Sequence, residues 1–102
     1  MLKIGEFSKL SHLTVKTIRF YEKEGLLVPI TIDHWTGYRF YETNQLELAA
    51  KIKCYRQLDL SIQEIQEIMS GANIKEVLQK KEKMLQAQKK EIDVRISIIN
   101  HI

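Results

Sequence analysis

The sequence predicts a mainly α-helical chain: two short helices, a small β-hairpin, a second helix pair and one long final helix. Three observations carry this. Apolar residues recur at helical spacing between Ile4 and Glu24 and again between Leu46 and Met69. Residues 27–41 instead collect the β-formers Val28, Ile30, Ile32, Tyr38, Phe40 and Tyr41 around the loop Asp33-His34-Trp35-Thr36-Gly37. From Ile74 to Ile102 there is neither glycine nor proline to interrupt a helix.

Each element has a local reason. Ile4, Phe7 and Leu10 mark a first helix over about 4–11, and Ser11-His12-Leu13 breaks its pattern. Thr14 is placed to cap a second helix running to about Glu24, and Gly25 stands where a left-handed C-terminal residue is wanted. Two short helices joined by about four residues make a helix-turn-helix. Pro29 confines the first hairpin strand to an edge or a strand start. Thr43 or Asn44 opens the next helix, which carries Leu46, Ala49, Ile52, Tyr55 and Arg56. Ser61 and Glu64 have the spacing of a capping box for a shorter helix over Ile62–Met69, closed by Ser70-Gly71. These features divide the chain into a compact unit over 1–71 and a helix over 72–102.

On that last helix Leu78, Leu85, Ile92 and Ile99 repeat every seven residues, and Ile96 widens the stripe. Such a one-sided helix is marginal alone in water, so the stripe predicts a partner surface.

The chain has 102 residues, 44% of them hydrophobic and 28% charged, and a net charge of +3. These values suit a soluble domain. Residues 75–102 carry seven Lys/Arg against four Asp/Glu, so the positive excess is concentrated there. That field draws in polyanions without selecting among them. The single cysteine, Cys54, excludes an internal disulfide and fits a reducing cytoplasm; its helix position suggests a small buried residue. His12, His34, Cys54 and His101 lack metal-ligand spacing, so neither metal nor cofactor is expected. There is no signal-type apolar start, no membrane-length apolar run, no phosphate-binding glycine loop and no nucleophile motif. The pairs Glu22/Glu24 and Glu64/Glu67 read as surface and capping charge rather than catalytic carboxylates, and no enzyme is expected.

The second helix carries the chemistry. With Val15 and Ile18 facing inward, Lys16, Thr17 and Arg19 point outward. A helix of this width fits a DNA major groove, where Arg and Lys meet guanine edges or phosphates, and Tyr21 can donate to a phosphate. A solvated amphipathic helix would also carry such residues. The tyrosines of the hairpin, Tyr38 and Tyr41, can equally be packing residues, and packing is the expectation for Tyr41. Trp35 is expected to pack on the hairpin, and neither it nor His34 receives a role.

Four runs, taken together, resemble the N-terminal domain of MerR-family regulators: Ile4-Gly5-Glu6-Phe7-Ser8, Thr14-Val15-Lys16-Thr17-Ile18-Arg19-Phe20-Tyr21-Glu22, Gly25-Leu26-Leu27 and Gly37-Tyr38-Arg39-Phe40-Tyr41. The resemblance implies a winged helix-turn-helix with the hairpin as wing, and a long helix forming an antiparallel coiled coil in a homodimer. It implies binding to a palindromic promoter operator in double-stranded DNA, and activation of RNA polymerase by bending and untwisting an overlong spacer. By position, Lys16, Thr17, Arg19 and Tyr21 become recognition-helix contacts, Tyr38 and Arg39 wing contacts, and Lys53 and Arg56 phosphate contacts. Leu78, Leu85, Ile92, Ile96 and Ile99 become the dimer seam.

The wing departs from the pattern, since Ile30-Thr31-Ile32 follows Pro29 where many members carry an arginine. Its tip is closer to the drug-responsive branch than to the metal-responsive one. Relatives continue beyond such a helix into an effector-binding domain, expected to be absent from this chain, and a small-molecule inducer would act only through that domain. Two other readings remain at this stage: a protein-interaction adaptor working through the long helix, and an excisionase-like architectural DNA-binding protein.

Overall fold

A computed structural model describes all 102 residues, Met1–Ile102. The chain order is β1 (Leu2–Lys3), α1 (Ile4–Ser11), α2 (Val15–Lys23), β2 (Thr31–Ile32), β3 (Arg39–Tyr41), α3 (Gln45–Gln57), α4 (Ile62–Met69) and α5 (Ile74–Asn100). The expected fold class is therefore present, with one element added. Strand β1 pairs antiparallel with β3, giving a three-stranded sheet in the order β1-β3-β2. Two residues are too few to show alternation, and they pair with Tyr41 and Phe40 about 40 positions on, so sequence pattern could not reveal the strand.

The caps form for the reasons their sequence suggests. The Thr14 hydroxyl accepts from the Thr17 amide at 3.1 Å, fixing the start of α2. Ser61 and Glu64 form the reciprocal capping box at 3.0 Å in both directions. Gly25 ends α2 with φ +73°, a left-handed conformation that costs a glycine least. Asn44 precedes α3 without a side-chain cap; the Gln45 amide oxygen instead accepts from the Glu42 N–H at 2.9 Å.

Helix α1 is the hub, touching α2, α3, β1 and β3. Phe7 on α1 stacks on Tyr41 of β3, ring centroids 4.5 Å apart, and both are fully buried. Ile18, Leu26, Leu27, Ile52, Leu60 and Ile65 complete the core around them. Two side-chain amides lock the ends of the second segment. Gln66 Nε2 donates to the Glu24 carbonyl at 2.9 Å, and Gln45 Nε2 to the Val28 carbonyl at 2.7 Å. These bonds tie α3 to the loop after α2, and α4 to the C-terminal cap of α2.

Helix α5 projects from this body. At about 1.5 Å per residue its 27 residues span roughly 40 Å. The radius of gyration is 18.4 Å, against about 13 Å for a compact chain of this length, so much of α5 stands clear. Its exposed apolar residues include Met84, Leu85, Ile92, Ile96, Ile98 and Ile99.

Four side chains lie elsewhere than expected. Cys54 is exposed: it sits about 200° around α3 from buried Ile52, on the opposite face. Trp35 is 89% exposed because the hairpin tip extends past anything it could pack on. Leu10 turns outward on the last turn of α1. Leu78, expected in the dimer seam, is half-buried with Val77 against the core of its own chain. The free part of the stripe therefore begins at Met84 and Leu85.

Candidate nucleic-acid interface

Helix α2 presents Lys16 and Arg19 to solvent while Ile18 anchors its inner face. Thr17 is half-buried. Its hydroxyl accepts from the Thr14 hydroxyl at 2.8 Å, which leaves its own proton free to donate. Tyr21 requires a correction in degree: its ring is 5% exposed and belongs to the core. The Tyr21 hydroxyl makes no hydrogen bond within the chain and is not among the enclosed polar atoms.

The wing is built around Asp33. Its carboxylate accepts from the Trp35 and Thr36 amides at 2.8 and 3.2 Å, and Asp33 and Tyr38 close the loop by a backbone bond of 2.9 Å. Gly37 supplies the left-handed turn with φ +74°. Tyr38 is 54% exposed with the Lys3 ammonium 4.9 Å from its ring centroid, so it does not pack into the hairpin. Tyr41 does pack, as its expected role requires.

Arg39 ties the wing to the recognition helix. Its Nε donates to Glu22 Oε1 at 2.6 Å and its Nη2 to Glu22 Oε2 at 3.3 Å, a bidentate ion pair with both side chains about a quarter exposed. The hydrogen-bonded Glu22 carboxylate holds the Arg39 guanidinium above its usual pKa, and burial opposes this only in part. Glu22, which the sequence marks only as surface charge, is therefore the partner that holds Arg39 in place. Nothing local marks it, because its partner lies 17 positions on and meets it only when the wing folds back.

Arg19, Tyr38 and Arg39 line one open concavity of about 480 Å³. Lys53 and Arg56 lie apart from it on α3. Lys53 is half-buried, and Arg56 is exposed with Nη1 donating to the Leu60 carbonyl at 2.9 Å. Beneath the wing, the Tyr41 hydroxyl is buried without a partner, and burial raises its pKa. No helix is long and apolar enough to cross a membrane.

Comparison with known proteins agrees with this geometry. The chain is 35% identical over 65 residues to the transcriptional regulator BrlR of Pseudomonas aeruginosa, covering 64% of this chain but 24% of that protein. It is 31% identical over 102 residues to the HTH-type transcriptional regulator ZntR homolog of Haemophilus influenzae, covering 99% of this chain and 75% of that one. Among solved structures, the EcmrR–DNA complex superposes with a TM-score of 0.90 at 37% identity, over 98% of this chain and 37% of that chain. The chain thus spans about a quarter of the length of BrlR and just over a third of EcmrR. A family model described as MerR HTH family regulatory protein matches residues 2–72, and the chain belongs to that family.

Proposed function

We propose that this chain is the DNA-binding and dimerising part of a transcription regulator that recognises a palindromic promoter operator. The observation that carries it is the shared face of α2 and the wing, where Arg19, Tyr38 and Arg39 converge on one open concavity while Lys16 stands free at the helix start. A rigid helix beside a hairpin is the shape that enters a major groove and grips the flanking backbone. Lys16, Thr17 and Arg19 serve as groove contacts, the Tyr21 hydroxyl and Tyr38 reach phosphate oxygens, and Lys53 and Arg56 extend the backbone grip along α3.

The exposed stripe Leu85, Ile92, Ile96 and Ile99 on α5 supports a homodimer through an antiparallel coiled coil, which sets two α2 helices at a fixed spacing on the duplex. The likeness to a chain solved on DNA within an EcmrR open complex supports activation with RNA polymerase as partner. In the proposed mechanism the dimer bends and untwists the promoter spacer. The deformation costs a few kcal/mol, about 1–6 for bends of this kind, and backbone contacts on the distorted duplex offset it. Such work takes place in the cytoplasm. We place response to a small-molecule inducer outside residues 1–102, and the wing tip Asp33–Gly37 is the basis for grouping the chain with drug-responsive members.

The experiment is a titration of fluorescent duplex DNA against salt. Affinity is expected to fall steeply as salt rises, and Arg19→Ala to weaken binding with the fold intact. A flat salt response, or Arg19→Ala binding as tightly as wild type, contradicts the proposal.

A further inference from the structure

The concavity beside the wing has a third wall that neither the recognition helix nor the hairpin supplies. Lys3, Gly5 and Lys9, from β1 and α1, line it together with Arg19, Tyr38 and Arg39. Four cations from four elements converge there. Glu6 is the one carboxylate on the lining, and it is already engaged by the Lys3 amide at 3.2 Å. Lys3 is held by two contacts with the wing: its backbone pairs with Phe40, and its ammonium sits over Tyr38.

Gly5 adds an independent observation. It lies in the first turn of α1, where glycine costs helix stability relative to alanine. Its backbone is not left-handed, unlike that of Gly25, Gly37 and Gly71. A Cβ at Gly5 would meet nothing within 4 Å. Neither backbone conformation nor packing within the chain requires a glycine here. The bare Gly5 backbone is therefore open on the lining of a cationic concavity, where an external group can approach α1 closely.

We propose that Lys3, Gly5 and Lys9 form a phosphodiester-binding site, so that the DNA backbone leaving the recognition helix is held between β1–α1 and the wing. This rests on the DNA-binding reading and extends it to an element outside the helix-turn-helix and wing contacts. Lys3 and Lys9 neutralise backbone charge, Tyr38 offers its hydroxyl, and the bare Gly5 backbone lets a phosphate oxygen come close.

The test uses the full chain and a short fluorescein-labelled duplex of mixed sequence, titrated at several salt concentrations and read by anisotropy. Each phosphate contact adds about 0.9 to the slope of log affinity against log salt, so Lys3→Ala/Lys9→Ala is expected to lower the slope by roughly 1.8. The single variant Lys9→Ala, free of any effect on Tyr38, is expected to lower it by about half as much. Gly5→Gln keeps the net charge and fills the floor; it is expected to melt no lower than wild type yet bind DNA more weakly. Lys83→Ala/Lys90→Ala on α5 removes the same charge elsewhere and should leave the slope unchanged. A wild-type slope in the Lys3/Lys9 variant, or an equal drop in the α5 variant, overturns the site while DNA binding stands. Absence of any complex with wild-type protein at low salt overturns the DNA-binding reading and the site together.

Discussion

Replacing Glu22 by glutamine separates two uses of Arg39 that the structure superimposes. The guanidinium donates to both carboxylate oxygens, at 2.6 and 3.3 Å, with the side chains 27% and 22% exposed. Exposed pairs contribute 0.2–1 kcal/mol, and bidentate geometry with partial shielding places this one near the top, at about 1 kcal/mol. Glu22→Gln and Arg39→Ala should therefore each lower the melting temperature by about 4–8 °C, as 1 kcal/mol does in a domain of this size. Their effects on DNA should diverge. If phosphate draws Arg39 away from Glu22, wild type gives up that ~1 kcal/mol on binding, and Glu22→Gln recovers it as about fivefold tighter binding. Arg39→Ala loses a phosphate contact and about 0.9 of salt slope. Because the Arg39 pKa is raised, its side of the pair is fully present below the unfolded value and is lost only as pH rises through the still higher folded value, far into the alkaline range. The comparison therefore holds across neutral pH. Thermal melts and anisotropy titrations of the two variants decide it. If Glu22→Gln weakens DNA binding as much as Arg39→Ala, the carboxylate positions the arginine for DNA and the competition argument fails.

Four further expectations follow from the geometry. Tyr41→Phe removes a buried hydroxyl that has no partner, so thermal stability should stay level or rise by up to about 1 kcal/mol; a comparable loss would reveal a hidden hydrogen bond. Ser61→Ala should cost about 1 kcal/mol by removing the α4 cap. The hydrogen bond from the Ser61 backbone holds Glu64 below its usual pKa, so its contribution is present above the unfolded value near 4.5 and disappears as pH falls through the folded value. Melts against pH should show wild type losing stability over that window and Glu64→Gln losing less; identical profiles would remove Glu64 from the account. Leu85→Asp or Ile92→Asp should yield monomers by light scattering, whereas a surviving dimer would place the interface off the α5 stripe.

What the sequence discloses is governed by the range of each interaction. Thr14, Gly25, Ser61 and Glu64 act within a few residues, so α2 and α4 could be bounded from composition and spacing alone. The wing loop was legible too, through Asp33 and Gly37. The misplaced residues depend on contacts between distant segments. Strand β1 exists because Leu2 meets Tyr41, and Glu22 matters because Arg39 folds back onto it. Leu78 keeps the heptad spacing of Leu85 and Ile92, but α5 begins against its own core, so part of Leu78 is covered within the chain. Cys54 and Trp35 show that a helix or hairpin position does not decide burial until its neighbours are in place. Among the candidate contact residues, Arg19, Tyr38 and Arg39 are brought together by the fold and Lys16 is exposed near them on α2, while the burial of Tyr21 emerged only from packing.

Two copies of this chain are expected to grip one promoter through paired α2 helices and wings. A hydroxyl-radical footprint on the DNA upstream of its own gene tests it most directly. The account predicts two protected patches related by a two-fold axis, with centres separated by about 34–36 Å or a multiple of it, one helical turn per step. A single patch, or uniform cleavage at protein concentrations that saturate low-salt binding, would contradict it.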